Sequence, residues 1–440
     1  MTEQPASPGV RDLLRIPDFR RLYIAQAVSD LGDGMTYLAL FLLVMSLSAS
    51  TALIALVSIL VAVPPVTIGL FAGAWADRSD RRRIMIASDA VRAVLVLALV
   101  PAAIAGALPV VLALAFAQSV VGTFFSPARG ALVPKTIPQS GMLAASSLSQ
   151  STRMIAGVVG ATITGSLAAV AGSAWPVFFV DAATFAFSVV MVARVTPAIG
   201  RPDARAAAQI RESGMGRAVI DGLGVIRRSG PLLAALGGIT VTMLGVGAIN
   251  VLFVPFLVRD LGASPAWAGP MEAAQTLSMI LAGVFLTALA ARLRPSTVMT
   301  VALAGTAVCI ALFGAAPGPV AVLALSFAVG WFVMPLQATT MTIVVGATTD
   351  ATRGRVGGSF NALTETASIA SMALAGVFAD LVGMRAVFYA GGAIVAVAAV
   401  VAWALFRWAP NAEADDASAE HKEAGGAASL PTPPAEVAPG

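Results

Sequence analysis

Two aspartates stand three residues apart in a run otherwise almost free of charge, QAVSDLGDGMTY, residues 26–37. On a helix Gln26, Asp30, Asp33 and Tyr37 fall at i, i+4, i+7 and i+11, which is one face. Two carboxylates so close in a low-dielectric medium do not both ionise cheaply, so the pair can hold a proton, as a coupled transport step requires. Asp33, the deeper of the two, and Asp30, nearer an interface, are therefore proton-coupling candidates. Asn361, Glu365 and Ser368 repeat the pattern late in the chain. Gln150 and Arg153 supply a further polar pair, with Arg153 the cation available to a carboxylate in the first half; Glu365 and Arg153 join the coupling candidates. Glu272 and Gln275 read more readily as partners in hydrogen bonds between helices. Asp181 reads as structural, and Asp89 with Arg92, at i and i+3, as a local pair. Gln26, Tyr37, Gln118, Gln150, Glu272, Gln275, Asn361, Met334 and Gln337 are the candidates to line a cavity.

Other chemistries find no support. The one histidine, His421, lies in a polar stretch and the one cysteine, Cys309, in an apolar run, which excludes histidine metal sites and an intrachain disulfide. There is no Walker loop and no nucleophile–base pair, so neither an enzyme nor a cofactor is expected.

The elements that must position these groups follow from composition. Of 440 residues 58% are hydrophobic and 11% charged, with mean hydropathy +0.88, where a soluble domain carries about a quarter charged. Residues 46–76 hold no charge at all, a longer run than the roughly 20 residues that cross a bilayer core. Aliphatic blocks of that continuity predict helices, not lipid-facing strands. Twelve spans are expected, at 22–46, 51–76, 84–106, 108–128, 144–171, 174–194, 232–258, 266–290, 296–315, 319–345, 357–382 and 385–408. The expected fold is thus an all-α membrane protein of twelve transmembrane helices in two six-helix halves. Its divisions are an N-terminal arm (1–21), a first half (22–194), a central loop (195–231), a second half (232–408) and a disordered tail (409–440). Within the loop, residues 214–228 have helical periodicity and are expected to lie along the membrane surface.

Arginines set the orientation. Arg11, Arg15, Arg20 and Arg21 precede the first span, Arg78 and Arg81–Arg83 follow the second, and Arg129 and Lys135 follow the fourth. Residues 194–230 carry seven more. On the opposite side only Arg259 and Arg385 occur. The positive-inside rule then puts both termini in the cytoplasm, in a multi-pass protein of the plasma membrane. The basic balance reports membrane topology and not a nucleic-acid partner.

The charged loop between spans two and three reads GAWADRSDRRRIM, residues 73–85. Gly73, Asp77, Arg78, Arg81, Arg82 and Arg83 resemble the loop signature of the major facilitator superfamily, and the resemblance covers about residues 15 to 410. IMIASDAVRAVL (84–95) and FFSPARGALVPKTIP (124–138) are similar to the exporters related to macrolide-efflux and enterobactin-export proteins. The chain departs from the family at Gln118, ahead of Gly122, where drug exporters often carry arginine. It departs again at Ala161 in GATITG, where proline is expected, and near Thr287, in a degraded second copy of the loop signature. Physically, Gly73 would let helix two approach a neighbour, and Asp77 would accept from free amides at the start of span eleven, beside Gly357 and Gly358.

The resemblance and the buried carboxylates imply a secondary transporter with small-molecule substrate, protons and the lipid bilayer as partners, acting as a monomer. Its expected activity is proton-coupled export of a hydrophobic, neutral or cationic compound; the alternatives are a nutrient facilitator or importer, or a non-transporting membrane sensor or scaffold. The topology has a direct check. Single cysteines replacing Ser213 and Ser418 in a Cys309→Ala background are expected to resist an impermeant thiol reagent added outside intact cells. Ready labelling at either position reverses the orientation.

Overall fold

The computed structural model describes residues 8–201, 224, 226–227, 229–289, 293–348 and 350–408. The expected surface helix at 214–228 and the tail after Trp408 lie outside the described residues, apart from a few positions of the former. A short helix α1 (Val10–Arg15) precedes twelve long ones. In the first half these are α2 (Pro17–Leu47), α3 (Thr51–Arg78), α4 (Arg81–Ile104), α5 (Leu108–Leu132), α6 (Met142–Ala171) and α7 (Val177–Ala193). In the second they are α8 (Gly230–Pro255), α9 (Ala268–Leu289), α10 (Pro295–Ala315), α11 (Pro319–Gly346), α12 (Asp350–Val382) and α13 (Met384–Trp408). The described residues contain no strand.

The helices are the twelve expected spans, most of them longer by a few polar residues at an end. Helix α2 begins inside the stretch read as an arm, because Pro17 occupies its first turn with Asp18 beside it, both suited to a helix N-terminus. Helix α5 runs past the expected limit of 128 to Leu132, so Arg129 belongs to its last turn and not to a loop. Side chains at the ends of lipid-crossing helices satisfy backbone groups that water cannot reach, so such extensions are expected wherever polar residues keep helical spacing.

In the first half α2 packs on α6 and α7, α3 on α5, and α4 on α5 and α7; in the second α8 packs on α12 and α13, α9 on α11, and α10 on α11 and α13. The halves meet through α3 against α12 and α6 against α9. By the arginine asymmetry, the end bearing residues 48–50 is called outer and the end bearing residues 79–80 inner. Near the outer end one apolar cluster runs unbroken across the halves, from Phe41 and Phe178 to Phe256, Phe313 and Phe388. Toward the inner end the clusters are separate, one around Met85, Phe125 and Val192, the other around Leu232, Val344 and Val356.

Glycines mark the same asymmetry. A Cβ on Gly376 of α12 would lie 2.3 Å from that of Ala55 in α3, and one on Gly165 of α6 would lie 2.5 Å from the Pro265 carbonyl oxygen, so only hydrogen fits at either contact. At Gly73, Gly357 and Gly358 an added Cβ meets nothing within 4 Å. The close approach expected of these three glycines is therefore not made in this conformation. Two long rigid helices that touch near their outer ends stand apart at their inner ends, and Asp77 faces Arg81 at 3.6 Å instead. In this conformation the halves meet at the end bearing residues 48–50 and stand apart at the end bearing residues 79–80.

Candidate transport cavity and its charge network

Helix α2 presents one polar face to three adjoining cavities. The largest, about 760 Å³, is lined by Gln26, Asp30, Asp33 and Tyr37 of α2 and by Arg92, Gln118, Arg129 and Arg153 from α4, α5 and α6. A second of about 230 Å³ continues it inward past Tyr23, Gln26, Arg129, Gln150 and Arg153. A third of about 240 Å³ lies between the halves, where Tyr37 faces Glu272 and Gln275. The i, i+4, i+7, i+11 spacing thus places its four residues along one route. Asn361, Glu365, Met334 and Gln337 line none of the three; Met334 sits against Gly283 of α9, its Cε 3.4 Å from where a Cβ would be. The apolar wall of the large cavity comes from Leu40, Val61, Pro65 and Phe125.

The two aspartates of α2 have different surroundings. Asp33 forms an ion pair with Arg92. Arg92 also faces Asp89 at 3.8 Å and lies over the Phe185 ring, 4.1 Å from its centroid. Asp89 accepts from Ser188 and Asp181 accepts from Thr36 and Thr184, and both are fully buried. The local pairing of Asp89 and Arg92 is present at 3.8 Å, but Arg92 does more: it also joins α4 to α2, because its long side chain reaches past the hydrogen-bonded Asp89 to Asp33 at the cavity. The network ties α2, α4 and α7 together. Each carboxylate in it meets a hydroxyl or a cation, the condition for burying charge at tolerable cost.

Asp30 is held differently. Gln26 Nε2 donates to its Oδ1 at 2.6 Å and Arg153 Nε stands 4.0 Å away, while Oδ2 is buried without a hydrogen-bond partner. Gln118 Oε1 is likewise buried and unpartnered beside the cavity. Arg129 is in no ion pair closer than 4.0 Å among the described residues; its charged neighbours are Asp30 and Arg153. Sequence reasoning passed over Arg92, Arg129 and Thr36 as cavity groups. The visible signal was their charge or polarity within or beside a span, but which helix faces which was not readable. No cluster of metal-ligand residues occurs among the described residues.

Residues 12–430 match the model of the major facilitator family described as transmembrane secretion effectors. The chain belongs to that family. That family and the relatives matched to this chain are described as secretion, efflux and transport proteins. It is 26% identical over 271 residues to macrolide efflux protein A of Streptococcus pyogenes, covering 61% of this chain and 65% of that relative, just under two thirds of its length. It is 27% identical over 397 residues to YfiS, an MFS-type transporter of Bacillus subtilis described as uncharacterized, covering 85% of this chain and 89% of that one. In fold it resembles the nucleoside transporter NupG, with a TM-score of 0.71, 15% identity and coverage of 88% of this chain and 99% of that one.

The Arg92 network yields a stability prediction. Removing one member of a buried charge pair costs about 3–5 kcal/mol, largely because the partner is left uncompensated. Arg92→Gln is expected to fall near the lower limit, since Asp33 still reaches the open cavity. Thermal unfolding in detergent should show the loss, and a second change, Asp89→Asn, should restore part of it. Equal stability of wild type and Arg92→Gln would remove the network's structural role.

Proposed function

We propose that this protein exports hydrophobic small molecules across the plasma membrane by alternating access, driven by protons entering in exchange. One observation carries the reading: an apolar-walled cavity in an inward-open, outward-closed transporter, with a carboxylate on its wall that has a free oxygen. That the named relatives include macrolide efflux proteins supports export over uptake, and the family membership argues against a sensor or scaffold.

The geometry favours a division of labour between the two aspartates. Asp33, paired with Arg92, serves as a fixed counter-ion that holds α2 to α4. Asp30 is the better proton carrier, since its Oδ2 meets no donor and its cationic neighbour Arg153 stands at 4.0 Å. The sequence pattern puts Asp33 first for coupling; its ion pair with Arg92 supports giving the role to Asp30 instead. With its proton lost, Asp30 attracts Arg153 and draws α6 toward α2; with the proton bound, that attraction vanishes. Because α6 also packs on α9 across the halves, a proton on Asp30 is communicated to the interface that must open. Substrate entering from the inner side would lie against Leu40, Val61 and Phe125 with its polar part toward Gln26 and Gln118.

Reconstituted in liposomes, the wild-type protein is expected to move protons when a substrate gradient is imposed. Asp30→Asn should abolish that flux with expression and folding retained, whereas Asp33→Asn should retain coupling but unfold at lower temperature. Flux that survives Asp30→Asn and disappears in Asp33→Asn would return the proton to Asp33. Absence of substrate-dependent flux in the wild type, over a panel of hydrophobic compounds, would overturn proton-coupled export itself.

A further inference from the structure

The outer face has two arginines that the positive-inside rule does not explain, and the structure uses both. Arg259, in the turn after α8, donates to the carbonyls of Met45 at 2.9 Å and Ala49 at 2.7 Å, and also to Ser48. Met45 lies in the last turn of α2, Ser48 is its C-cap and Ala49 follows it, so the guanidinium sits at the negative end of the helix dipole. Four residues along, Asp380 of α12 accepts from the amides of Thr51 at 2.7 Å and Ala52 at 3.1 Å and from the Ser50 hydroxyl at 2.7 Å. These amides begin α3, the positive end of its dipole. Arg385 fixes the turn that carries Arg259, pairing with the adjacent Asp260 at 2.8 Å and donating to the carbonyls of Gly314 and Ala316 at 3.0 and 3.2 Å.

A single reversal of chain in the first half, residues 45–52, is therefore gripped at both its helix ends by charges from the second half. Each charge has the sign its helix end attracts, and exchanging the two would repel at both. Neither residue lines the three cavities. Neither is required by the fold of its own half, since their hydrogen-bond partners at 45–52 all lie in the other one. The contacts lie beside Gly376, where α12 and α3 touch most closely.

We propose that Arg259 and Asp380 form the outer latch of the transport cycle: positioning residues that hold the outward-closed state by capping the helix ends at residues 45–52, and that let go when the outer side opens. Release leaves no helix end bare. Ser50 already caps α3 through the Leu53 amide at 3.4 Å, and the site is at the surface, where water replaces what the latch gives up. The latch is also the reciprocal of the contact expected at the inner end of the same two helices. There Asp77 of α3 would meet the start of α12; here Asp380 of α12 meets the start of α3. Since α3 and α12 rock as rods, one contact forms as the other breaks.

A cysteine at Leu40, on the cavity wall one turn outward of Tyr37, reports opening without any substrate, so failure of the latch leaves the export reading untouched. In a Cys309→Ala background an impermeant reagent added outside intact cells is expected to label it slowly. Asp380→Asn and Arg259→Gln should each raise the labelling rate about tenfold, the population shift expected from losing one favourable charge–helix-end interaction. Thr51→Pro is the independent variant: proline is tolerated in the first helical turn and removes, with the Thr51 side chain, one of the two amides that Asp380 accepts from. It should raise labelling in the same direction. Unchanged labelling in Asp380→Asn, or in Thr51→Pro should Asp380→Asn fail to reach the membrane, overturns the latch.

Discussion

Backbone ends and charges cannot be left unpartnered in a bilayer, and that constraint organises this molecule. Many of the described ionisable groups answer it in one of three ways. Some are matched with each other, as Asp33 and Asp89 are with Arg92. Others are placed on helix ends, as Arg259 and Asp380 are at residues 45–52. Buried aspartates that lack a cation take hydroxyls instead, Asp181 from Thr36 and Thr184. Of the two buried carboxylate oxygens without a hydrogen-bond partner, Asp89 Oδ1 and Asp30 Oδ2, only that of Asp30 belongs to a residue of the cavity wall, and unpaired charge inside membranes is where transport chemistry concentrates.

In the proposed cycle the same constraint favours two states over a continuum. A charge on a helix end is worth about 0.3–1 kcal/mol when exposed and up to about 2 when partly buried. That is far less than the packing within either half, so the halves persist as units while the contacts between them exchange. Near the outer side those contacts combine a continuous apolar cluster, glycine-lined helix crossings and the charged grip on α2 and α3. The inner ends of α3 and α12 make no comparable approach. Polar contacts that form and dissolve at a surface suit such an exchange better than a buried apolar seam, because water accepts what they release.

Much of the fold was legible in the sequence because hydropathy blocks and glycine- or proline-bounded turns report helices directly. The twelve spans, their pairing into halves and the polar face of α2 were all read from spacing. What was not legible is which helix faces which. Arg92 looked like the local partner of Asp89 because periodicity sees only its own helix; its reach to Asp33 depends on the packing of α4 beside α2. Arg129 was assigned to a loop because hydropathy falls before the helix ends. Asp380 drew no attention because a carboxylate near a helix end is ordinary, and only its neighbour's free amides make it a contact. Glu365 and Asn361, which share the spacing of the α2 pair, line none of the three cavities described.

The central claim is that the two ends of α3 and α12 open and close in opposition around the cavity. Spin labels placed in pairs, one across the outer ends of these helices and one across the inner ends, measure it in liposomes by electron–electron distance spectroscopy over acidic and neutral pH. The account predicts two distance populations at each end, with the fraction that lengthens outside equal to the fraction that shortens inside. Outer and inner distances that change independently, or together in the same sense, would contradict it.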